Sequence, residues 1–249
     1  MTLAVREWGG GNRYAVLLHG MSASSRVFHR LGPALAECGF HVVAPDLPGH
    51  GRSEPDPDAS IESFADAALA AVPARPELAV GHSMGGMVLA VAADRLGAGH
   101  AAYLDIGLTT APLQGDPLPR MRANRAQRTA PWLRAERPWF SEDEVAIEAE
   151  AARQWDPATS ASFVRSAAGR DLTPRDASRS SLVVAEPSDY VSAAERLRLS
   201  ASGFTVHAVE GGRHTLMYGW HDELLAALLE DLPADLLADL HGAGATGSS

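Results

Sequence analysis

The chain has little of what marks secreted, membrane or nucleic-acid-binding proteins. It carries one cysteine, Cys38, in 249 residues, so no intrachain disulfide can form. Positive charge is scarce: 21 Lys and Arg face 31 Asp and Glu, a net charge of −10. That balance disfavours nucleic acid and anionic membrane surfaces as partners. No uninterrupted apolar run reaches the roughly 20 residues a membrane helix needs, so membrane insertion is not expected. Met1 to Glu7 shows no basic stretch followed by an apolar run. A secretory leader is therefore not expected, and a cytoplasmic location is. Cysteine and histidine nowhere cluster at metal-ligand spacing, so no metal is expected. There is no internal repeat.

What is present is an alternation of short apolar runs with helical patterns. That is the signature of an α/β protein with a mostly parallel sheet and helices on both faces. The runs predict strands at Ala15–Leu18, His41–Ala44, Leu78–Val80, Tyr103–Ile106, Leu182–Ala185 and Thr205–Val209, with an edge strand within Leu3–Trp8. Helices are predicted over Arg26–Glu37, Ile61–Ala71, Met84–Leu96, Val191–Ser200 and Leu216–Leu229. The alternation breaks between Leu108 and Ser181, a gap too long for a crossover loop. Seven prolines punctuate it, and Ser141 with Glu144 forms a capping box that starts a helix. This reads as a helical insertion. The expected organisation is a core of residues 1–107 and 181–240, a helical cap of 108–180, and a Gly/Ala/Ser-rich tail of 241–249 that frays.

Gly81-His82-Ser83-Met84-Gly85-Gly86 sits between a predicted strand and a predicted helix. A serine flanked by glycines at such a turn is a nucleophile elbow. The turn lifts the hydroxyl above the sheet edge and leaves the N–H of Met84 at a helix start, where negative charge is favoured. A serine nucleophile needs a base, and the base needs an orienting carboxylate. His214, after the last strand and behind Gly211-Gly212, is the expected base. Asp189, just past Leu182–Ala185, is the expected acid, ahead of Asp105 and Glu186. The oxyanion hole is expected from the N–H groups of Met21, after His19-Gly20, and Met84. Ser22 and the cap tryptophans Trp132, Trp139 and Trp155 are expected to contact substrate, since amphipathic aromatics suit an apolar cleft.

These residues resemble the α/β-hydrolase family over almost the whole length. The resemblance rests on His19-Gly20, on Pro45-Asp46-Leu47-Pro48-Gly49-His50-Gly51-Arg52-Ser53, on Gly81 to Gly86, and on the chain order nucleophile, acid, histidine. It implies a serine-nucleophile branch with a cap before Leu182, oxyanion N–H groups after His19-Gly20 and after Ser83, and no cofactor. The reaction expected is hydrolysis of an ester, lactone or thioester of a small to medium apolar molecule through an acyl-enzyme on Ser83. The same residues are compatible with an acyltransferase or cyclase, a carbon–carbon bond hydrolase, a cofactor-free perhydrolase, or a non-enzymatic receptor for a small ligand.

Overall fold

The computed structural model describes residues 1–232. The predicted tail, 241–249, and the end of the predicted core lie outside the described residues. Short apolar runs, buried on both faces in the inner strands, build β1 (Val5–Trp8), β2 (Tyr14–Leu18), β3 (His41–Pro45), β4 (Leu78–His82), β5 (His100–Leu104), β6 (Ser180–Glu186) and β7 (Thr205–Glu210). They form one sheet in the order β1-β3-β2-β4-β5-β6-β7. β1 runs antiparallel to β3 and every other neighbouring pair is parallel. A twisted parallel sheet must be covered on both faces. Ala15, Leu17, Leu78, Val80, Val183 and Ala185 point to one apolar layer, and Val16, Leu18, Ala79, Leu182 and Val184 to the other.

The first layer is closed by α1 (Leu31–Glu37) and α9 (His221–Glu230), and the second by α2 (Ile61–Ala71), α3 (Met84–Leu96) and α8 (Ala193–Ala201). α2 and α3 occupy the predicted ranges. The predicted helix Arg26–Glu37 is instead a 3-10 turn, Ser25–Phe28, followed by α1. Pro33 explains the break: it lacks an N–H and its ring clashes with the carbonyl four residues back, so it fits only a first turn. α9 starts at His221 rather than Leu216, because Thr215 to Tyr218 form a turn closed by Tyr218 N–H on the Thr215 carbonyl. β5 ends at Leu104, two residues before the predicted end.

Between β5 and β6 lie α4 (Leu118–Gln127), α5 (Ala130–Glu136), α6 (Glu142–Gln154) and α7 (Pro157–Ala167). Ser141 caps α6, with the reciprocal bond from Glu144. The two ends of this segment are laced together. The Leu172 N–H bonds the Leu108 carbonyl at 2.9 Å, the Thr110 N–H bonds the Arg170 carbonyl at 2.9 Å, and the Gly169 N–H bonds the Ala111 carbonyl at 3.0 Å. Glu195 of α8 anchors the same neck, accepting from the N–H groups of Leu108 at 2.9 Å and Thr109 at 3.1 Å. No described helix is long and apolar enough to cross a membrane.

Candidate active site

Parallel strands bring their carboxyl ends to one edge, and the loops after β2, β4, β5, β6 and β7 gather there. His82 is in register with Leu104, and Leu104 with Val183. Ser83 is thus the first residue past β4 and Asp105 the first past β5. Ser83 has φ 51° and ψ −118°, a conformation that costs an L-residue about 1–3 kcal/mol. The turn closes because glycine stands at the crowded positions. A Cβ on Gly85 would collide with the Leu18 and His19 carbonyls, and one on Gly20 would come within 2.8 Å of the His82 ring and 3.3 Å of Ser83 Cβ. This packing sets the start of α3 against the end of β2. Among the described residues, neither the Met21 nor the Met84 N–H donates to a backbone carbonyl.

His214 stands in the loop after β7. Its Nδ1 donates to Asp105 Oδ2 at 2.8 Å. That bond fixes the tautomer and leaves Nε2 as the acceptor nitrogen. The Asp105 side chain is 1% exposed and the His214 side chain 26%. Burial disfavours the Asp105 carboxylate, yet hydrogen bonds from His214, the Ser188 hydroxyl and the Ala185 N–H outweigh it and hold the carboxyl below its usual range. His82 donates from Nε2 to the His214 carbonyl at 2.8 Å. Its pKa is lowered to about 3, first by burial and then by the neighbouring His214, so it is a neutral prop.

The expectation for Asp189 is corrected here. Asp189 is exposed, and among the described residues the hydrogen bond at His214 Nδ1 goes to Asp105 instead. In its loop the Ser188 Oγ accepts from the N–H groups of Tyr190 and Val191, both at 3.0 Å. This local turn sends Asp189 outward and lays Tyr190 on His214, ring centroids 3.6 Å apart and planes 19° apart. Asp105, ranked second in the sequence, holds the position opposite His214 Nδ1. Ser188, Tyr190 and His82 escaped the sequence reading; only His82, adjacent to Ser83, carried a positional hint.

The remaining expected residues divide. Ser22 is buried beside Met21 with φ 60°. Trp155 is buried, donates Nε1 to Ser160 Oγ at 2.7 Å and packs with Met121 and Ala161. It is core rather than pocket wall, because a buried indole N–H needs a partner and finds it inside its own helix pair. Trp132 is half-buried against Leu133, Val145 and Ala149. Trp139 lies between the guanidinium groups of Arg137 and Arg213, each 5.5 Å from its ring, and so touches the loop that carries His214. His19 accepts the Leu47 N–H at Nε2 and donates from Nδ1 to the Gly20 carbonyl, tying the loops after β2 and β3. Asp46 accepts from the Ser25 and Arg52 N–H groups. A cavity of about 620 Å3 between α4, α5, α6 and α7 is lined by Arg122, Arg125, Arg128 and Arg153, with Asp156 as its one acid.

The chain is similar to several known proteins. It is 38% identical over 125 residues to a pimeloyl-[acyl-carrier protein] methyl ester esterase of Methylococcus capsulatus, covering 50% of this chain and 48% of that protein. It is 37% identical over 90 residues to the lipase LipV of Mycobacterium tuberculosis, covering 34% and 35%. The chain thus spans about half, or less, of the length of these curated relatives. Among solved structures, E-2-(acetamidomethylene)succinate hydrolase superposes with a TM-score of 0.74 at 25% identity, covering 92% of this chain and 94% of that one. Est816, described as an N-acyl homoserine lactone degrading enzyme, gives 0.70 at 20% identity, covering 92% and 96%, a likeness of fold. The α/β hydrolase family pattern matches residues 15–228. With its seven-stranded sheet and the elbow at Ser83, this chain belongs to the α/β-hydrolase family.

Proposed function

We propose that this chain is a serine hydrolase that cleaves a carboxylic ester through an acyl-enzyme on Ser83, with His214 as base and Asp105 as its orienting carboxylate. The observation that carries the reading is the His214 Nδ1 bond to buried Asp105 beside a strained Ser83. Asp105 keeps the imidazole in the tautomer whose Nε2 can take the Ser83 proton, and it stabilises the imidazolium that results. The serine oxygen attacks the ester carbonyl, and the oxyanion of the tetrahedral intermediate accepts from the Met21 and Met84 N–H groups. His214 returns its proton to the departing alcohol. It then activates water, whose attack releases the acid and frees Ser83. Residues 108–180 act in this reading as a cap over the cleft.

The relatives favour esters, and five of them are named pimeloyl-[acyl-carrier protein] methyl ester esterases. The test is turnover of a chain-length series of p-nitrophenyl esters, with fluorophosphonate labelling of wild type beside Ser83→Ala. Loss of both in the variant is expected; a variant that still labels would overturn the assignment.

A further inference from the structure

We infer that Ser188 and Tyr190, in the loop after β6, form a positioning device for His214, an inference that rests on the reading of His214 as the base. The Ser188 hydroxyl has one proton and two lone pairs. Both lone pairs are engaged by the N–H groups of Tyr190 and Val191. The Asp105 carboxylate opposite accepts from His214 and from the Ala185 N–H. Ser188 thus fixes the backbone of the residue that covers the base.

Tyr190 is 54% exposed, so burial in the core does not hold it. What holds it is the Ser188 turn below and the His214 ring alongside, at 3.6 Å. The ring restricts rotation of the imidazole and screens the Asp105 bond from water. The other groups facing His214 are Asp105 after β5, which accepts from Nδ1, and His82 of β4, which donates to the His214 carbonyl. On its own loop, Arg213 lies over Trp139. Tyr190 is therefore the neighbour that restrains the His214 ring without touching the acid.

The test compares Tyr190→Leu, Tyr190→Phe and Ser188→Ala with wild type. Tyr190→Leu keeps apolar bulk over the ring but removes the π face. It is expected to lower kcat about tenfold with KM little changed. Tyr190→Phe restores kcat. Ser188→Ala lowers kcat in the same way as Tyr190→Leu, and the double variant adds less than the sum. A wild-type kcat in Tyr190→Leu overturns the device, as does a Tyr190→Phe variant that fails to restore it. Asp105→Asn is run alongside. If it is inactive while Tyr190→Leu matches wild type, only the device fails; if it stays active, the underlying reading of the triad fails.

Discussion

Asp105 stands to β5 as Ser83 stands to β4. Each is the first residue past its strand, each has a positive φ (45° and 51°), and each donates its N–H to the neighbouring strand, Ser83 to the Leu104 carbonyl and Asp105 to the Val183 carbonyl. The five-residue register between β4 and β5 holds the two at a fixed offset. Asp105→Asn is expected to reduce kcat about ten-thousandfold while preserving the fold, because the amide no longer selects the required imidazole tautomer. Asp189→Asn is expected to stay within about twofold of wild type, as an exposed substitution outside the network. Steady-state hydrolysis of a p-nitrophenyl ester measures both, and the reverse ranking would restore Asp189 as the acid.

Acid should destabilise this protein well before its carboxylates titrate. His50 and His82 are buried with pKa values lowered to about 3, by burial first and by neighbouring histidine second. Between pH 6.5 and 3 the unfolded chain binds their protons and the native chain does not, so stability rises with pH and falls as pH drops. The slope is about 1.4 kcal/mol per pH unit for each such group. Urea unfolding at stepped pH should show it, and His50→Gln should reduce the slope by one proton. An unchanged slope would mean that His50 is not the buried neutral group described.

Asp105 adds a second, lower window. Its folded pKa is depressed, so its contribution is complete above the ordinary carboxylate range and is lost as pH falls through the folded value. The Asp105→Asn variant should therefore lose less stability than wild type below about pH 4, a difference that the same urea series records.

Gly85→Ala should be costly. The new methyl meets the Leu18 and His19 carbonyls, which are backbone and cannot step aside. A destabilisation of about 3 kcal/mol is expected from forced separation of α3 and β2, with loss of turnover because the Met21 and Met84 N–H groups part. A variant with wild-type unfolding and rate would contradict the packing described around the elbow.

Most of the frame was legible in the sequence, because it depends on local patterns. The glycines around Ser83 dictate the elbow, and the Ser60–Ser63 capping box starts α2 where the pattern placed it. Which carboxylate pairs with His214 was not legible for a physical reason. Asp105 and Asp189 each follow an apolar run, and which one reaches His214 depends on where the strand stops. β5 stops at Leu104 because its pairing with β4 and β6 stops there, and nothing in Tyr103-Leu104-Asp105-Ile106 announces it. α4, α5 and α7 were missed because their sequences are polar or rich in small residues; α4 has no side-chain cap, and the caps of α5 and α7, Thr129 and Asp156, lack the reciprocal partner that marked α6.

The neck beyond Asp105 has a mechanical consequence. Three residues after the acid, Leu108 and Thr109 are fastened to Glu195 on the core, and the strand returning from α7 is laced to the same point. Force applied to α4–α7 is thus grounded at Glu195 before it reaches Asp105. A displacement of α4–α7 would be taken up there and leave the carboxylate behind it aligned.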